Sequence, residues 1–198
     1  MSPGRRSFNR PTGIRPQRKL FLIATEGEKI EPKYFYMFNT TLSTAKILCL
    51  KGGHASSPPK VLKRMANWLN ENDLKIFDEA WIVVDKDQWT DSQIEELSSW
   101  AKSKENYGLA LSNPKFEYWL LLHFEDGVAI RSSRDCSDRL KKHIPGYDKD
   151  INASKFTNER IDQAILRAEK GDNPPSSGWP KRLGSTTVYR LVKRIPRP

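Results

Sequence analysis

Cysteine is scarce in this chain of 198 residues: Cys49 and Cys136 stand alone, too few for a disulfide framework or a thiolate zinc site. Long apolar runs are missing too. The longest, Leu20–Ala24 and Tyr118–Leu122, fall far short of the roughly 20 residues that span a bilayer. The first nineteen residues are polar and basic and do not read as a signal peptide. No G-x-x-x-x-G-K-[ST] loop occurs, so nucleotide hydrolysis is not expected of this chain itself. Together these absences predict a cytoplasmic protein with no membrane partner.

Positive charge is abundant, and its placement is informative. The formal net charge is +10, which suggests a polyanionic partner. Arg5, Arg6, Arg10, Arg15, Arg18 and Lys19 occur near the start without an acid among them. Arg190, Lys193, Arg194 and Arg197 do the same near the end. The middle is close to neutral, so the basic character belongs to two ends that would contact nucleic acid through Arg15, Arg18, Lys19, Arg190, Lys193 and Arg194. Solvated tails or a dock for a partner protein are the alternative.

Hydrophobic periodicity predicts an α/β protein. Residues 1–18, rich in Gly, Pro and Arg, read as a basic flexible tail. Apolar runs at 20–24, 47–50, 80–84 and 107–111 have strand length and lack alternation, as expected of strands covered on both faces. Helical spacing follows each, with Pro32, Ser57-Pro58-Pro59 and Asp91 marking starts and 116–124 apolar nearly all round. Strand alternating with helix implies a mostly parallel central sheet flanked by helices over 19–126. Beyond it, 127–198 reads as a helical extension on the same core. Its helices are expected near 133–144, 157–170 and 186–195, with an irregular Pro- and Gly-rich loop at 171–184.

Acids at strand ends carry the chemistry. Glu26 follows the first strand in Thr25-Glu26-Gly27-Glu28, and Asp85 and Asp87 follow the third. In an open parallel sheet, ligands bind beyond the carboxyl ends of the strands. Alternate side chains of a D-x-D point the same way, so carboxylates gathered there would repel one another unless a hard cation such as Mg²⁺ (or Mn²⁺) lay between them. A D-x-D alone is common and is often merely solvated. Glu117, in the first turn of the helix after the fourth strand, could complete the site or cap its helix. Lys115 could touch phosphate or be a solvated charge. Glu28 and Glu31 lie close to Glu26 and could be ligands, but read more simply as lining the first turn of the helix they open. His123, in an apolar helix, reads as a hydrogen-bonded core histidine. Of the six tryptophans, only Trp89 and Trp179 are placed to stack on a base.

The pattern of apolar strand with Glu26-Gly27, then apolar strand with Asp85-x-Asp87, resembles the TOPRIM domain of topoisomerases, primases and related nucleases. More specifically, the chain resembles the RloB family of bacterial defence-associated proteins. The segments that carry this likeness are Ala24–Phe35, Val83–Asp87 and Ser112–Phe124, with a weaker one at Ser185–Val188. The resemblance implies a TOPRIM-like fold, Mg²⁺ held by Asp85 and Asp87, and Glu26 as general acid/base or further ligand. It also implies an anti-phage setting, often with an ATPase partner. The expectation is a Mg²⁺-dependent nuclease acting on DNA or RNA. The alternative is a non-catalytic or partner-activated nucleic-acid-binding subunit. One departure is Gln88-Trp89 where a turn glycine or small residue is usual.

Overall fold

The computed structural model describes residues 18–53, 57–87, 89–147 and 150–197. Arg15 and most of the basic N-terminal stretch lie outside them. Strand β1 (Lys19–Thr25) is followed by helix α1 (Ile30–Tyr36), β2 (Ala45–Leu50), α2 (Pro58–Glu71), β3 (Glu79–Asp85), α3 (Asp91–Lys102), β4 (Tyr107–Asn113) and α4 (Phe116–Leu121). Then come α5 (Ser133–His143), a 3₁₀ turn (Ala153–Lys155), α6 (Asn158–Gly171), the short strand β5 (Ser185–Thr186) and α7 (Val188–Arg194). The sheet order is β2-β1-β3-β4-β5. The first four strands are parallel, and β5 runs antiparallel on the edge of β4.

Successive strand residues point to opposite faces, and both faces of this sheet are covered. Leu22 and Ala24 of β1 pack with Ile82, Val84, Leu109 and Leu111 beneath Val61 and Met65 of α2 and Ile94 and Leu97 of α3. Phe21 and Ile23 face the other way, joining Ile47, Val83 and Ala110 under α1 and α4–α7. Two-sided burial explains why the strands read as unbroken apolar runs. Leu140, Ile161, Val188 and Leu191 belong to this second cluster, so the 127–198 segment shares the core of the sheet. No helix among the described residues is long and apolar enough to cross a membrane.

Some boundaries differ from the periodicity. Helix α4 stops at Leu121 rather than 124, and Leu122–Phe124 close in tighter turns, with His123 N–H donating to Leu120 O and Phe124 N–H to Leu121 O. Arg167 takes the Leu122 carbonyl at 2.8 Å, and Gly127, at φ 61°, turns the chain against Leu122 and Tyr118. The expected helix over 186–195 begins two residues late, because Ser185 and Thr186 first pair with Asn113 and Ser112. Pairing there satisfies backbone groups that the edge of β4 would otherwise leave open. The 171–184 loop is irregular but pinned: buried Asp172 accepts from Arg190 (2.6 Å), Tyr189 (2.9 Å) and the Ser176 backbone (3.0 Å). Trp179 in that loop is buried against α3 and donates to Glu95, so it is not available for base stacking.

Candidate functional site

Parallel pairing of β1 with β3 and of β3 with β4 brings three strand ends side by side. The Glu26 backbone N–H donates to Val83 O, and the Asp85 N–H donates to the Glu26 carboxylate at 3.2 Å. The indole of Trp89 donates to the other Glu26 oxygen at 2.9 Å. Asp85 in turn accepts from the Phe116 N–H at 2.8 Å, which fixes the start of α4 and brings in Glu117. From the first turn of α1, Glu31 reaches back and accepts from the Gly27 N–H at 3.1 Å.

Two glycines permit this closeness. A Cβ at Gly27 would lie 2.3 Å from a Glu31 carboxylate oxygen. One at Gly52, after β2, would lie 1.8 Å from the Glu26 carbonyl oxygen. Carbon cannot approach oxygen so closely, so Gly52 must stay bare against the Glu26 backbone, whereas a Cβ at Gly27 would push the Glu31 carboxylate out of its place.

The result is a crevice of four carboxyl groups, Glu26, Glu31, Asp85 and Glu117. Burial pushes the Glu31 carboxyl up to about 7, and the charges of Glu117 and Glu26 add to the rise. Asp85 is raised well above the usual carboxylate range, first by burial and then by Glu31, Glu117 and Glu26. Burial also raises Glu26, with a smaller contribution from Asp87, against the lowering effect of its two hydrogen bonds. Lys115 is the cation at hand, 3.8 Å from Glu117 and donating to Ser137 at 2.6 Å. Tyr147 is buried with its hydroxyl facing Glu117, close enough for that carboxylate to raise its pKa after burial itself. It makes no hydrogen bond of good geometry.

Of the acids the sequence singled out, Glu26, Asp85 and Glu117 come together here. Asp87 lies at the rim, exposed, with φ 21° and a 3.4 Å contact from the Ser133 hydroxyl. Glu31, read as lining a helix turn, proves to be buried inside the cluster. Its signal was positional: the first turn of α1 opens toward the strand ends, five residues after Glu26. His123 is the core histidine expected, held by Tyr34 and Trp119 O, and burial lowers it to about 3.

The basic residues fall elsewhere. Lys19 and Arg194 both bind the buried carboxylate of Glu79, at 2.5 and 2.6 Å, at the opposite end of the sheet. Arg190 is committed to Asp172 and Lys193 to Glu169. Arg18 donates to the carbonyls of Thr40 and Thr41. These side chains are largely compensated within the fold, and apart from Lys115 none adjoins the acidic crevice.

By chemistry the donor set suits a hard divalent cation: every candidate ligand is a carboxylate oxygen, and the crowding of their charges is what a cation would relieve. By arrangement it is incomplete. Among the described residues no three His, Cys, Asp or Glu side chains are gathered as a ready ligand set.

A parallel sheet flanked by helices, with carboxylates crowded beyond its strand ends, defines an α/β protein with an acidic crevice at the usual ligand-binding edge. The chain belongs to the RloB family: the model of the RloB-like proteins matches residues 21–195. Comparison with curated proteins found no significant match, nor did comparison with solved structures.

Proposed function

We propose that this protein is a Mg²⁺-dependent nuclease whose reacting phosphate binds at the Glu26–Glu31–Asp85–Glu117 crevice. The observation that carries the reading is the gathering of Glu26, Glu31, Asp85 and Glu117 at the carboxyl ends of parallel strands, where burial and mutual repulsion raise the proton affinity of Glu31 and Asp85. Carboxylates brought together at such a cost to ionisation mark a functional site more often than a structural one. Asp85 and Glu26, with Asp87 from the rim, would hold the ion once Glu26 turns from its present hydrogen bonds. A bound Mg²⁺ would neutralise these carboxylates and polarise the phosphoryl oxygen. Glu31, inside the cluster, is placed to accept the proton of the attacking water as the new P–O bond forms, and the leaving oxygen would take a proton from solvent as the old bond breaks. Lys115 would offset charge on the phosphate from the side of Glu117. An anti-phage role and an ATPase partner rest on the family resemblance.

A second reading is favoured by one observation, the incompletely gathered ligands. On that reading the chain is a nucleic-acid-binding subunit that acquires a working centre only with its ATPase partner.

Calorimetric titration with Mg²⁺ and Mn²⁺, beside Asp85→Asn, tests both. It is paired with cleavage assays on DNA and on total tRNA. Saturable binding and cutting, both lost in the variant, are expected. Binding without cutting favours the partner-activated subunit. A wild-type protein that binds neither ion overturns the metal centre.

A further inference from the structure

Among the described residues, Lys19, Arg190, Lys193, Arg194 and Arg197 are each occupied by an internal ion pair, whereas uncommitted positive charge lies nearer the crevice. A cleft of about 340 Å³ opens on the far side of α4, between the 126–130 loop, the end of α6 and the 182–184 loop. Arg167, Lys170 and Arg182 line it, against the single acid Asp126. Arg167 is tied to Asp126 and to Leu122 O, and Arg182 to Gly171 O, each with further N–H groups left over. Lys170 is exposed and makes no hydrogen bond or ion pair among the described residues. The Tyr118 hydroxyl, also without a partner, lies at the cleft, and Val128 and Leu183 form exposed apolar walls at 70% and 42% exposure.

Glu117 and Tyr118 are consecutive on α4, with Cα atoms about 3.8 Å apart. One side chain belongs to the acidic crevice and the next to the cleft. The 131–133 segment links them a second way, since Ile130 lines the cleft and Ser133 touches Asp87. We infer that this cleft binds a nucleotide unit of a nucleic-acid strand adjacent to the phosphate that lies in the acidic crevice. Lys170 and Arg182 take the backbone phosphate, and Val128 and Leu183 take the face of a sugar or base. The inference rests on the nuclease reading for the position of the reacting phosphate. The acidic crevice alone would repel a polyanion; a neighbouring cleft with excess positive charge offsets that repulsion and sets the path of the strand. An acidic peptide would use the charges but has no need of the short distance between cleft and crevice.

The test is fluorescence anisotropy of a labelled single-stranded 12-mer, as DNA and as RNA, without divalent metal and over a salt series. Lys170→Glu is the variant of choice, because Lys170 carries no internal bond and the fold should survive. Lys63→Glu on α2, also exposed and without an internal partner, changes net charge equally and is the control. Lys170→Glu should weaken binding about tenfold and lower the slope of log K against log salt by roughly one phosphate contact, while the control changes little. Equal effects from the two variants, or none, overturn the cleft. A mononucleotide that binds as tightly as the 12-mer also overturns the strand path, since it would mark a nucleotide pocket. Asp85→Asn run alongside separates the two ideas. Retained binding with lost cleavage upholds the nuclease reading whatever Lys170 shows, and unchanged cleavage overturns that reading without touching the binding result.

Discussion

Glu31 shows how one side chain can couple stability to function. Its carboxyl ionises near 4.5 in an ordinary setting and near 7 in the crevice, chiefly because it is buried. The native state therefore holds a proton that the unfolded chain has lost between those values. Stability is fully present below about 4.5 and declines as pH rises through 7. At about 1.4 kcal/mol for each tenfold change in proton affinity, the loss is on the order of 3 kcal/mol. Urea melts of the metal-free protein from pH 4.5 to 8 should show this decline, and Glu31→Gln should flatten it and raise the midpoint at pH 8. Mg²⁺ should restore wild-type stability at pH 8 and do less for the variant. A wild-type profile that rises across this window would mean the carboxyl is not held protonated.

The turns around the crevice show the same economy one scale up. Gly52 and Gly53 are neighbours in the β2–α2 connection with opposite surroundings. A Cβ at Gly52 would strike the Glu26 backbone, and one at Gly53 meets nothing within 4 Å. Gly52→Ala should cost roughly 1–3 kcal/mol, because backbone cannot move aside as a side chain can. It should also displace Glu26 and lower any metal affinity. Gly53→Ala should stay within about 0.5 kcal/mol of wild type. Thermal melts of the pair check both, and equal midpoints would show that the β1–α1 turn is softer than its packing implies. Much at this scale was legible beforehand. Strand runs such as Ala80–Val84 had no competing pattern, and Glu26 and Asp85 were visible because they end such runs. Glu31 was visible only as the lesser of two readings, since a glutamate in a helix's first turn has an ordinary explanation in the helix dipole. Only the three-dimensional turn at Gly27 shows it folded inward. Strand β5 escaped for another reason: two residues are too few to carry a period, and its existence depends on the unpaired edge of β4.

For the molecule as a whole, the sheet separates two charged assemblies. At the carboxyl ends of the strands, acids crowd with little compensation. At the amino ends, Glu79 is buried and fully engaged, accepting from Lys19, Arg194 and the Trp81 indole. Burial would raise its pKa, but the bonds from Arg194, Lys19 and Trp81 outweigh that and hold it below the usual range. This one carboxylate ties the start of β1 to the last turn of α7, joining the first and last elements of the described residues. The basic ends thus owe part of their composition to folding, which a count of charges along the sequence could not reveal. Glu79→Gln should lower stability by about 2 kcal/mol at pH 7, less than for a fully buried pair because Lys19 and Arg194 are partly exposed. Urea melts with an unchanged m-value and a lower midpoint would register it. Asp85 lies about 20 Å along β3 from Glu79 at 3.3 Å per residue. Metal affinity per folded molecule should accordingly be unaltered in Glu79→Gln. If affinity fell in step with stability, the two ends of the sheet would be coupled through β3, and the acidic crevice would depend on the link between β1 and α7.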